Sequence, residues 1–441
     1  MKIINSKDFD AYWKSQTIQS IDKKTEASVK KIITAVRKDG DKAVFKFAAK
    51  FDRSSPKQLE VPVTELKLAC DELRKDDPAL ASALKLAAEN INYFSKKQRE
   101  QFSDFETETQ SGVFTGQKII PVQRAAVYAP GGRFPLISSL LMALIPAITA
   151  GVKEIFLVSP PAENGLPNRK ILAAANITAE VCGVPITDSN SPLRVFAIGG
   201  AQAVAAFAFG TETVPRADVI AGPGSRFVIE AKRQLYGQVG IDFLAGPSDV
   251  LIIAENSESA EAVAADMLAQ AEHDPDARAR ALVPNREFAD KLVSAIEKRL
   301  ATLPTAKTAR ASLNNGGLII VYENMEEAVR IANVIAPEHL ELQTADDNKW
   351  IPLLKNYGSL FIGELAAEAL GDYSAGINHT LPTLSNARFT GGLGVRHFLK
   401  TVTTLRCTQG EGFEKTRNAA EIIARAEGLE GHALSAALRA M

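Results

Sequence analysis

Apolar residues recur along this chain with two different periods, and the change from one to the other divides it. In TEASVKKIITAVRKDGD, Val29, Ile32, Ile33 and Val36 follow the i, i+3, i+4, i+7 spacing of one buried helical face. Thr25 is placed to cap that helix and Gly40 to stop it; Asp41 can then cap a second helix with Val44, Phe47 and Ala48 inward. A long, highly charged helical stretch follows around DPALASALKLAAENINYFSKKQREQF. From about residue 119, short apolar runs end in Gly or Pro and lead into small-residue helices: RAAVYAPGG, EIFLVSPP, RVFAIGGAQ, ADVIAGPGS and DFLAGPSDVLIIAE. Such alternation predicts an α/β fold with a mostly parallel sheet and helices on its faces. A second region of this kind runs from about 250 to 365, with ALVPN, GLIIVYEN and GSLFIGE as strands. TGGLGV at 390–395 reads as a linker and residues 413–441 as a small helical tail. The most apolar stretch, Leu136 to Ala150, is too short to span a bilayer.

The bulk numbers add limits. With 46% hydrophobic and 23% charged residues the 441-residue chain is ordinary globular protein, long enough for several cores. A net charge of −1 leaves no electrostatic footprint for nucleic acid or anionic lipid. Cys70, Cys182 and Cys407 are far apart, form no CxxC and fit a reduced compartment. The first residues, MKIINSKDFDAYWKSQ, have no apolar core. The expectation is a soluble, cytoplasmic protein without nucleic-acid or membrane partners.

Chemistry concentrates in the second half. All five histidines follow residue 272, and four of them stand in phrases rich in carboxylates or amides: QAEH, APEHLE, GDYSAGINH and AEGLEGH. Imidazole in such company suits metal binding or proton transfer near neutral pH. Gln270 and His273 are three apart on an expected helix and project from one face. Glu338 beside His339 puts a carboxylate against an imidazole just after a helical run ending in Ile335, as general-base work requires. Asp372, Asn378 and His379 fall on an expected Gly-rich, helix-averse loop, and Glu427 and His432 on the tail. His397, with no carboxylate close by, reads as structural. Gly at the turns of YAPGG, AIGGAQ and AGPGS lets backbone N–H groups approach a phosphate, although none matches the six-residue dinucleotide fingerprint. Taken together, Gln270, His273, Asp372 and His432 offer two imidazoles, a carboxylate and an amide oxygen, a donor set that suits zinc.

The phrases YAPGG, GGAQAVAAFAFGTETVP, AGPGS, AGPSDVLIIA, LAQAEH, VIAPEHLEL, GDYSAGINHTLPT, TGGLGVRHF and AEGLEGH resemble the histidinol dehydrogenase family, in the same order, from about residue 25 onward. The resemblance implies a domain-swapped homodimer that oxidises L-histidinol to L-histidine with NAD and one Zn2+ per subunit. It also implies two incomplete Rossmann-like domains with small N- and C-terminal helical segments. In that scheme 1–24 is an N-terminal segment, 25–118 and 249–389 form one discontinuous domain, 119–248 binds NAD, and 390–441 is linker and dimerisation tail.

Residue by residue, Glu338 and His339 match the family's catalytic pair. Gln270, His273, Asp372 and His432 match the zinc ligands, with His432 supplied across the dimer. Ser248, His379 and Glu427 match substrate positions, which the catalytic His339 and the zinc ligands also touch; Tyr128, Gln202 and Ser225 match NAD positions. Ser225 stands where the family has Asn, and Asp249 where it has Glu. The rival readings are a relative oxidising another small alcohol such as a sulfonated diol, a zinc hydrolase using Glu338 as base, and a catalytically dead binding module.

Overall fold

The computed structural model describes all residues except 16–21, 53, 55, 132–134, 188–190, 256–258 and 441. The last residue of the expected YAPGG turn, Gly132, lies outside the described residues.

Two six-stranded sheets carry the fold. In the first, the order is Glu60–Val61, Leu193–Ala197, Glu154–Ser159, Arg124–Tyr128, Val219–Ala221 and Gly240–Ile241. All its pairs are parallel but the first. The second runs Lys2–Asn5, Leu318–Val321, Arg278–Val283, Asp249–Ala254, His339–Gln343 and Ser359–Ile362, parallel throughout. From Arg124–Tyr128 in the first sheet and Asp249–Ala254 in the second, the chain steps outward in one direction and then returns to build on the other side. Ligands of such sheets bind beyond the carboxyl ends of the strands, where the direction switches.

The short apolar runs become strands because both of their faces are covered. Ala125 and Val127 enter one core with helices Val63–Asp76, Pro78–Glu100, Ile137–Ala150 and Arg169–Cys182. Ala126 and Tyr128 enter the other with helices Lys23–Phe51, Gly200–Phe209 and Arg226–Leu235. Strands buried on both faces read as unbroken apolar runs.

The helices of residues 23–100 pack on the 124–241 sheet. Val29, Ile32, Val36, Leu66, Leu84 and Ile91 bury themselves against the 124–241 sheet. What the N-terminus adds to the 249–362 sheet is the edge strand Lys2–Asn5, with Phe9 packed beneath it. Helix faces carry no address in the sequence; complementary apolar surface decides where they dock.

Smaller differences have local causes. The N-cap of the first long helix is Asp22, whose carboxylate accepts from Lys24 N and Thr25 N, rather than Thr25. Gly40, non-helical at φ 53° and ψ −135°, separates two helices within Lys23–Phe51 as expected, and the Glu212 carboxylate takes the Asp41 N–H at 2.8 Å. A three-stranded antiparallel sheet, Leu399–Cys407, Val113–Pro121 and Phe105–Gln110, joins the linker region to the middle of the chain. It went unread because its strands are largely polar and exposed. The tail helices Glu411–Ala426 and Glu430–Ala437 follow it as expected. No helix among the described residues is long and apolar enough to cross a membrane.

Candidate active site

The amino edge of the 249–362 sheet gathers the chemistry. Helix Met325–Ile335 ends at Ala336, whose left-handed φ of 51° turns the chain sharply back. Pro337 and Glu338 follow, and His339 opens its strand beside Val250. Helix Ala260–Ala271 runs back antiparallel to the strand before it, so Gln270 near its end returns to the same edge.

Five side chains meet there. Gln270 Nε2 donates to Glu368 Oε1 at 3.0 Å and lies 3.3 Å from His339 Nδ1. His339 Nδ1 is 3.5 Å from Glu368 Oε1 and 3.9 Å from Glu338 Oε2, while its Nε2 is 3.4 Å from Asp372 Oδ1. Gln270, Glu338, His339 and Glu368 are all buried. Four of their atoms and neighbours, Gln270 Oε1, His339 Nε2, Glu368 Oε2 and Asp372 Oδ1, have no hydrogen-bond partner. Buried polar atoms are rarely left so, and a group of them signals a missing ligand. His339, Glu368 and Asp372 offer atoms all within 4.8 Å of one another, a geometry that could hold a metal ion. The donors, two hard carboxylates, an imidazole and an amide oxygen, fit a borderline dication.

The electrostatics agree. Burial pushes the Glu338 carboxyl up to about 8, with Asp249 and Asp372 adding to the rise against His339. Burial also raises Glu368 well above the ordinary carboxylate value. For His339 burial opposes the charged form, yet Glu368, Glu338 and Asp372 outweigh it and hold the imidazole well above its usual value. Burial would raise Asp372 too, but the adjacent His339 and the more distant His379 and His273 bring it down. One imidazole serves three acids. The site is short of positive charge.

Other expected residues are distributed as follows. Asp372 lies on the short helix Glu368–Tyr373 and not on a loop. Its own backbone oxygen takes His379 Nδ1 at 2.7 Å, and His379 Nε2 meets Ser139 Oγ at 3.1 Å. That link, with Asn378 Nδ2 donating to Met142 O at 2.5 Å, fastens the site to the helix that leaves the 124–241 sheet. His273 sits two residues past the end of its helix, exposed, its N–H on Gln270 O at 3.3 Å. Ser248 immediately precedes its strand, half-buried. Tyr128 ends the central strand of the first sheet and its hydroxyl accepts from Gly200 N at 3.1 Å; burial raises its pKa. Gln202 is buried in the next helix, and Ser225 is an exposed N-cap whose side chain caps nothing. Glu427 and His432 are exposed on the tail, which bonds to its own chain at Ser111 through Phe413 N. One subunit therefore brings together Gln270, Glu338, His339, Asp372 and His379, and leaves Glu427 and His432 on its surface. His397 stands apart from these residues, accepting from Gly394 N at 3.2 Å and meeting the Phe243 ring edge-on.

Sequence reasoning missed Glu368. A signal was present: four residues before Asp372, it shares that residue's helical face. Its N–H is held by Glu341 Oε1 at 3.2 Å.

Asp249 has a role its shorter side chain still meets. Oδ1 accepts from Glu338 N at 2.6 Å, Oδ2 pairs with Arg280 Nη1 at 3.2 Å, and Glu338 Oε2 accepts from Asp249 N at 2.9 Å. Asp249 and Arg280 are both buried. Asp249→Ala should therefore destabilise the fold by about 3–5 kcal/mol, the cost of leaving a buried charge unpaired. Denaturant unfolding checks this; a change under about 1 kcal/mol would mean that water reaches Arg280.

Comparison with known proteins adds to this geometry. The family model described as histidinol dehydrogenase matches residues 15–440. A histidinol dehydrogenase from Aromatoleum aromaticum is 44% identical over 421 residues, covering 95% of this chain and 92% of the relative. One from Aquifex aeolicus is 42% identical, covering 95% and 93%. The crystal structure of histidinol dehydrogenase from Elizabethkingia anophelis superposes with a TM-score of 0.89 at 32% identity, covering 99% of this chain and 97% of that one.

Proposed function

The chain belongs to the histidinol dehydrogenase family and is an oxidoreductase, and from that premise we propose that it oxidises L-histidinol to L-histidine through L-histidinaldehyde, using zinc and NAD, as a homodimer with shared sites. The observation that supports it most is the buried Glu338–His339 pair set against the unpartnered oxygens of Gln270 and Asp372. The strand order of the two sheets supports reading them as incomplete Rossmann-like units.

Gln270, His273 and Asp372, with His432 of the partner subunit, would hold zinc, and Tyr128, Gln202 and Ser225 would hold NAD; the metal supplies a template for imidazole and amine, the cofactor a hydride acceptor. His339 takes the hydroxyl proton of the alcohol, its imidazolium stabilised by Glu368 and Asp372. With a dication among these acids, His339 no longer supplies the only positive charge and can stand neutral as a base. Glu338, fixed by the Asp249 N–H, draws a proton from water as it adds to the aldehyde. Ser248, His379 and Glu427 orient the substrate, and retention of the aldehyde between steps keeps it from side reactions.

Mixed with L-histidinol and NAD⁺, the purified protein is expected to form NADH and L-histidine, two hydrides per alcohol, and to stop when a chelator strips the metal. Reduction of NAD⁺ with a sulfonated diol but not with L-histidinol would reassign the substrate. Turnover without any NADH would favour the hydrolase reading.

A further inference from the structure

At the carboxyl edge of the 124–241 sheet, an acid from a distant part of the chain enters the turns after the second and third strands. Asp52, half-buried, directly follows helix Lys23–Phe51. Its carboxylate accepts from the Gly199 N–H and lies 3.5 Å from Gln202 Nε2. Both of these partners, among the described residues, are neutral. A Cβ on Gly199 would stand 2.6 Å from Asp52 Oδ1 and 2.9 Å from Pro160 Cβ, so the close approach of the carboxylate itself requires glycine there. Beside it, Ser159 closes the second strand, 0% exposed, its hydroxyl without a partner. A Cβ on Gly131 would come within 3.1 Å of that hydroxyl. A carboxylate, a buried free hydroxyl and backbone stripped of side chains thus ring the strand ends next to Tyr128. In parallel sheets of this order, an acid near the end of the second strand receives ribose hydroxyls, whereas a 2′-phosphate calls for a cation.

We propose that Asp52 is a specificity-determining residue of the cofactor site, accepting hydrogen bonds from the adenosine ribose hydroxyls of a nicotinamide dinucleotide and repelling a 2′-phosphate. The inference rests on the NAD reading above. Burial, which lifts the carboxyl to about 6, still leaves it charged at neutral pH.

The test uses the full-length enzyme with L-histidinol and either NAD⁺ or NADP⁺. Asp52→Asn and Asp52→Ser should raise KM for NAD⁺ about tenfold, more than they lower kcat, the size of one charge-assisted hydrogen bond. The ratio of kcat/KM for NADP⁺ over NAD⁺ should rise by about tenfold or more. Unchanged KM and ratio in both folded variants would overturn the role of Asp52 while leaving NAD use intact. If neither variant folds, the wild type decides by calorimetry: ADP-ribose bound at least about tenfold tighter than its 2′-phosphate supports the assignment, and equal binding overturns it. A wild type that reduces neither cofactor and binds neither probe would bring down the NAD reading and this inference together.

Discussion

His339→Ala is expected to lower the rate of L-histidinol oxidation by about 10²–10⁴, the factor a positioned general base contributes. The residue is buried, and its two nitrogens face different acids, Glu368 and Asp372, so water cannot easily take its place. Added imidazole should restore part of the rate by entering the vacated space, a rescue that a merely structural defect would not give. A loss below tenfold at neutral pH would move the base elsewhere. Glu338→Gln should divide the reaction differently, harming turnover from the alcohol more than oxidation of an aldehyde already hydrated in solution. Because burial raises the Glu338 carboxyl to about 8, the wild-type rate of aldehyde hydration should climb with pH through that region as the group ionises, and the climb should vanish in Glu338→Gln. Equal losses for both substrates, at every pH, would take the water-activating role from Glu338.

Mixing two inactive variants, His339→Ala and His432→Ala, should restore activity. In a mixed dimer with exchanged tails, one site carries both defects and the other neither, so full exchange gives back about a quarter of wild-type turnover by random pairing. The motive is the tail. Ile422, Ile423, Leu429, Leu434 and Leu438 stand exposed on two helices whose only buried residues are Gly412, Ala424 and Ala433. An apolar patch of that kind marks an interaction surface, and Glu427 and His432 travel on it. Subunit exchange shown by mass labelling without any return of turnover would place His432 in its own chain's site and remove the shared-site arrangement.

Much of the local architecture was legible because it is written in local period. The runs at Arg124–Tyr128, Glu154–Ser159 and Asp249–Ala254 are strands as read, and the helix before APEHLE ends at Ile335. The pair Glu338–His339 was visible because its two members are adjacent, and Gln270 because it stands in a phrase of polar residues closing an apolar helix. The polar hairpin at 105–121 and its partner strand 399–407 were not, since neither carries the apolar pattern that announces a buried strand.

Sequence alone therefore determined the apolar elements and most of the residue types that carry chemistry, both properties of spacing within a few residues. Tertiary structure alone decided which of those residues meet. Glu368 stands against Gln270 and His339 across 98 and 29 positions of chain, Asp249 locks to Glu338 across 89, and Asp52 reaches Gln202 across 150. It also decided that the helices of residues 25–100 pack on the sheet that follows them and not on the later one. The physical reason is the same in each case. Periodicity reports which face of an element is apolar, but the partner of that face, and the acid that an orphaned amide finds, follow from surfaces that exist only after the chain has folded.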